Sequence, residues 1–253
     1  MRVCGTGIVW LAVFTAASAS AFAEAPAGTF EHSVYGKILK EHVSDGRVDY
    51  KSLAESHVEL DKYIGSLAKA QPATFKSDEE RLAFWINAYN ACVLKGIVSS
   101  WPLKDVEEAP GFFSLDAYRV AGGTYTLHQI YNTVLRKEFK DPRVNFALCR
   151  GTLWSPQLRN EVYAAEKLDK QLEDAAKKFI RDPRYVRIEK DQRLIYVSSL
   201  FKYVREDFAG RGEQLLDYIK KYLPSSDKEY LDENVSAIVF IPLDWNVNVK
   251  EPK

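Results

Sequence analysis

The feature that most constrains this chain is a stretch at residues 82–98, containing Phe84-Trp85-Ile86-Asn87-Ala88-Tyr89-Asn90-Ala91-Cys92, that is apolar around most of a helical cylinder. A helix apolar on every side has no face to offer water, so the rest of the chain must be built around it. Its start is marked by Ser77-Asp78-Glu79-Glu80, where Ser77 is positioned to cap and Glu80, three residues on, to complete a capping box. Two polar residues interrupt the apolar surface. Asn87 and Asn90 lie three apart and therefore share a face. Burying an unpaired carboxamide costs roughly 1–3 kcal/mol, so each needs partners. Either they pin neighbouring loops through backbone hydrogen bonds, or they line a pocket and hold a ligand.

The remaining pattern is helix-rich. Phe30, Val34, Ile38 and Leu39 recur at helical spacing, Ser44-Asp45-Gly46 breaks the run, and residues 52–68 read as a second helix. Gly122-Gly123 between short extended runs predicts a tight hairpin at residues 118–125, and Thr126 opens a helix to about Arg136. Residues 144–149 alternate, which predicts a strand with Val144, Phe146 and Leu148 on one face and Asn145, Ala147 and Cys149 on the other. A helix follows at 165–180, then a hairpin at 185–197. Ser199 begins a helix interrupted at 210–212 and resumed at 213–222, and the apolar run at 237–241 reads as an interior strand. The expected class is α+β, a helix-rich single domain with a buried central helix and a small, mainly antiparallel sheet.

Composition narrows the function. Apolar residues make up 46% and charged residues 28%, as in an ordered globular protein, and 35 basic side chains face 35 acidic ones. That balance offers no footprint for nucleic acid and no polybasic anchor for lipid. Met1-Arg2, an apolar run at 7–14 and Ala21-Phe22-Ala23 have the parts of a signal peptide. The expectation is a leader at 1–23, a linker at 24–28 and one globular domain at 29–253. The product would be exported, periplasmic or extracellular, without a membrane span once the leader is removed. Cys92 and Cys149 would then remain, and in an oxidising compartment they pair only if their α-carbons come within about 7 Å.

Chemistry is sparse. There is no phosphate loop, zinc-protease helix, serine elbow or Cys-x-x-Cys pair, so no metal or cofactor is expected. Trp101, Phe112 and Phe113 could stack on a ligand or simply pack in the core. Cys149 precedes Arg150 and Gly151, and the guanidinium favours a thiolate. A cysteine nucleophile needs a base, and His128 is the histidine nearest in sequence. Two readings follow. In the favoured one a non-catalytic domain binds a small molecule, envelope polymer or protein partner around Asn87, Tyr89, Asn90 and Arg150. In the alternative, a hydrolase or transferase uses Cys149 as nucleophile, His128 as base and Asn145 or Asn87 as orienter.

Several strings also resemble the domain of unknown function 547 family. They are Gly46-Arg47-Val48-Asp49-Tyr50, the Phe84 to Asn90 run, Asp141-Pro142-Arg143 with Phe146-Ala147-Leu148, Ser199-Leu200-Phe201-Lys202 with Asp207-Phe208, and Leu243-Asp244-Trp245. The resemblance implies one domain, and export as in many bacterial members, but no settled activity. Members often carry Glu-His where this chain has Tyr131-Asn132, His in place of Asn145, and Cys in place of Arg150 and Ser155. If those residues form a site in relatives, this chain has lost most of it. Cys149, one place early, would face the other side of the expected strand.

Overall fold

The computed structural model describes Met1 and residues 29–209, 215–234 and 237–251. The expected leader, the linker and the break at 210–212 lie outside the described residues. Helix α1 (Ser33–His42) leads into a two-residue hairpin, β1 (Val43–Ser44) and β2 (Arg47–Val48). The helix expected at 52–68 is two, α2 (Tyr50–Glu55) and α3 (Val58–Leu67). Asp49 caps the first by accepting from the Ser52 amide, and the chain turns at Ser56 and His57 before α3 begins.

The central helix α4 (Asp78–Ser99) is where the pattern placed it, and residues 82–94 are buried without a break. Lys95, the first side chain to reach solvent, pairs with Asp61 at 2.7 Å. The cap is only half of the expected box. Ser77 Oγ accepts from the Glu80 amide at 3.2 Å, but the Glu80 carboxylate accepts from the Lys76 amide instead. A reciprocal box does form further on, between Thr126 and Gln129.

The glycine hairpin joins β3 (Ala117–Val120) to β4 (Gly123–Thr126), with Ala121 and Gly122 as the central pair. Both have positive φ, as this turn requires, so the loop sits one residue earlier than the Gly-Gly pair suggests. The next helix is not uniform: α5 (Leu127–Gln129) runs into a π-helical segment (Ile130–Leu135), and α6 (Arg136–Phe139) closes it.

The strand expected at 144–149 is absent. Val144–Ala147 is a helical turn, α7, and all six residues of 144–149 are buried. The alternation misleads because the segment lies between two apolar clusters. Val144, Ala147, Leu148 and Cys149 join the cluster around α4, while Phe146 inserts into a second. The second cluster is built on α8 (Leu168–Arg181), β5 (Val186–Glu189) and β6 (Leu194–Ser198), with α9 (Leu200–Tyr203), α10 (Arg205–Ala209) and α11 (Leu215–Lys220). A further helix, α12 (Ser225–Glu233), has no counterpart in the sequence reading.

The final strand β7 (Ala237–Ile241) pairs in parallel with β6, which itself pairs antiparallel with β5. It is an edge rather than an interior strand, leaving Ile238 and Phe240 partly exposed. After β7 the tail straps distant loops together. The Leu153 and Trp154 amides donate to Asn246 and Asp244, the Val247 amide to Lys104, and Val48 and Asn248 continue the line to the first hairpin. This gathers Gly46 to Tyr50, the 151–154 loop and Asp244 to Asn246, which are remote in sequence. The class is α+β, helix-rich, with small sheets that are antiparallel except for the β6–β7 pair.

Candidate functional site

Asn87 and Asn90 are both fully engaged with backbone. Asn87 donates to the Tyr163 carbonyl at 2.8 Å and accepts from the Tyr163 amide at 3.0 Å. Asn90 donates to the Ala147 carbonyl at 3.0 Å and accepts from the Cys149 amide at 2.9 Å. Each carboxamide thus presents one donor and one acceptor to an extended segment, as a neighbouring strand would. That is why 147–149 can run buried without a sheet partner. The geometry is that of pinning, and the polar atoms of these two residues point at backbone rather than at a cavity.

The pinned segment delivers Arg150. Gly151 follows with φ +75°, and a β-carbon there would lie 2.2 Å from Ile97 Cδ1, so the chain turns hard against α4 at this point. The Arg150 guanidinium lies over the ring of Tyr131 at 4.8 Å and over that of Trp154 at 5.1 Å. It borders a cleft of about 360 Å³ whose floor includes Tyr89 and Trp154. One wall is the π-helical segment with His128 before it and Arg136 after it; the other is Leu200, Tyr203, Leu243 and Trp245. π-Helical turns recur at functional sites, and here Tyr131 and Asn132 of the π-helical segment line the cleft.

A polar chain holds this wall from behind. The Tyr131 hydroxyl donates to Asn145 Oδ1, and Asn145 Nδ2 donates to Asp207 Oδ2 at 2.9 Å. Asp207 also accepts from Arg136 Nε at 2.8 Å and Nη2 at 2.6 Å. Arg136 Nη1 reaches Asn132 Oδ1 at 2.8 Å. Burial raises the Tyr131 phenol above its ordinary value, with Arg150 and Arg136 pulling the other way. It therefore remains a neutral donor. Burial likewise raises the Tyr89 phenol.

The cysteine constellation is not assembled. Cys149 is 1% exposed, and its Sγ accepts from the Gly151 amide at 3.4 Å and from Asn248 Nδ2 at 3.5 Å, with Ser155 Oγ 3.8 Å away. Burial raises its pKa, and the hydrogen bonds and Arg150 offset this only in part. His128 is exposed at the cleft, where Cys149 is not among the lining residues. Asn145 orients Tyr131 rather than a histidine. Cys92 is also a free, buried thiol, so the two cysteines are not bridged. Among the described residues no group of three His, Cys, Asp or Glu side chains is placed to hold a metal ion, and no helix is long and apolar enough to cross a membrane.

Of the residues singled out from sequence, Tyr89, Arg150 and His128 meet at the cleft, with Asn145 behind it. Phe113 lines it too, whereas Trp101 stacks on Tyr50 and Phe112 is core. Tyr203, Trp245, Arg136 and the anchoring role of Asp207 were not foreseen. Their convergence depends on the tail strap and on α9 and α10, which no local pattern encodes.

Residues 73–180 match the family model described as Protein of unknown function, DUF547, a span running from just before α4 to the end of α8. No curated protein and no solved structure matches the chain.

Proposed function

We propose that this member of the DUF547 family is a ligand-binding domain without cysteine catalysis, and that its site is the cleft over Tyr89 and Arg150. The observation that carries this is the cleft's composition: about 360 Å³ walled by aromatic and aliphatic side chains, with a few fixed polar groups converging on it. That combination is characteristic of small-molecule sites. Tyr131, Asn132 and Arg150, three positions at which the chain departs from the Glu-His and Cys residues that family members often carry, all line it. Substitution there by aromatic, amide and guanidinium groups favours recognition over thiol chemistry. The buried Cys149, with its pKa raised, supports the same choice.

The test is a fragment screen by ligand-observed NMR on the wild-type protein and on Trp245→Ala. Hits that compete with one another and weaken at least tenfold in the variant support the cleft. Hits indifferent to the variant, or no hits, refute it. We further propose that the protein is exported, on the strength of the leader pattern at 1–23. N-terminal sequencing of the protein from a fractionated native host should begin at Glu24, and an intact leader would refute export.

A further inference from the structure

Resting on that reading of the cleft, we infer that its ligand is a carboxylate with a flat apolar body, the carboxylate seated on Arg150 and the body against the aromatic walls. Three other sheltered guanidinium groups of this protein have carboxylate partners. Arg136 is paired with Asp207, Arg143 with Asp141 and Asp169, and Arg159 with Asp174 and Glu161. Arg150 is more deeply buried, 7% exposed, yet no carboxylate among the described residues pairs with it. Its protein partners are neutral: the Leu148 carbonyl at 3.5 Å, the Tyr131 hydroxyl and the two ring faces. A ring quadrupole attracts a cation without neutralising it. A buried charge normally has a counter-charge, so one should come from what enters the cleft.

The surroundings specify the charge and shape. Among the described residues no Asp or Glu lines the cleft, and the carboxylate behind its wall, Asp207, is already held by two nitrogens of Arg136 and by Asn145. Arg136 is thereby balanced, leaving Arg150 as the one buried cationic centre among the described lining residues, which matches a monoanion. Its planar fork suits a carboxylate, which takes two parallel N–H bonds. Phe113 and Trp245, with ring centroids 6.4 Å apart, and the exposed Tyr203 line the same cleft and offer surfaces to a planar apolar body.

The experiment is isothermal titration of the intact protein with 2-naphthoate, its neutral isostere 2-naphthamide, and inorganic phosphate. The expected result is that naphthoate binds roughly 10- to 100-fold more tightly than the amide, as a charge-assisted pair implies. Phosphate should not displace it, and Arg150→Gln should bind acid and amide alike. If acid and amide bind wild type equally, the anion inference is overturned while the cleft reading stands. If neither binds, the inference is overturned, and the fragment screen decides the cleft reading separately. Phosphate binding as tight as that of naphthoate overturns the apolar body. Should Arg150→Gln fail to fold, the wild-type comparison of acid and amide decides alone.

Discussion

Replacing Asn87 and Asn90 one at a time should distinguish a stability effect from a binding effect that a pocket role would merge. In Asn87→Ala, the amide and carbonyl of the buried Tyr163 lose partners at 3.0 and 2.8 Å. At roughly 1–3 kcal/mol for each orphaned group, the loss is about 2–6 kcal/mol. That is a large share of the roughly 5–15 kcal/mol by which such proteins are stable. Asn90→Ala orphans the Ala147 carbonyl and the Cys149 amide and should cost a similar amount. The consequences for binding differ. Asn90 fixes the residue next to Arg150, so its loss should displace the guanidinium and weaken naphthoate binding severalfold even where the protein remains folded. Asn87 fixes Tyr163, which does not line the cleft, so affinity should be unchanged within a factor of two. Urea unfolding followed by circular dichroism gives the stability term, and titration well below the transition gives the affinity. A stability loss under 1 kcal/mol for Asn87→Ala, or a ligand-blind but stable Asn87→Ala, would refute the pinning argument.

Three further outcomes are expected. Cys92 and Cys149, both buried with raised pKa values, should resist alkylation at pH 8 and label together only on unfolding; rapid native labelling of Cys149 would revive the nucleophile reading. Burial lowers the His32 pKa from 6.5 to about 4, and its Nδ1 lies 2.6 Å from the Tyr63 hydroxyl. Between those values the unfolded chain takes up a proton that the folded one refuses. Stability should therefore fall as pH drops from 6.5 towards 4, by at most about 3 kcal/mol, and His32→Phe should flatten that slope. Gly151→Ala combines a strained positive φ with the 2.2 Å clash against Ile97, so a loss of about 2–4 kcal/mol is expected; an unchanged urea midpoint would contradict the close approach.

What the sequence could reveal depended on whether a residue's neighbours lay along the chain or across it. The helix α4 was legible because its all-round apolar surface is a local fact, and the two asparagines were noticed because nothing local could satisfy them. Their role required knowing what they meet. Residues 144–149 show the opposite case. Alternation signals a strand when one face is wet, but this segment is buried by two clusters on different sides, and Asn90 replaces the missing ladder. The π-helical turn that carries Tyr131 is equally silent, since its buried residues Ile130, Val134 and Leu135, with Leu127 just before them, fall at spacings an ordinary α-helix also gives. The cleft itself is wholly non-local: Arg150 comes from a pinned loop, Tyr131 from that turn, Tyr203 from α9 and Trp245 from the tail strap. Single-sequence reasoning could name Arg150 and Tyr89 as chemically notable. Only the assembled walls show that the guanidinium is enclosed by rings and that no carboxylate among the described residues pairs with it, and from that imbalance the charge of a ligand can be argued.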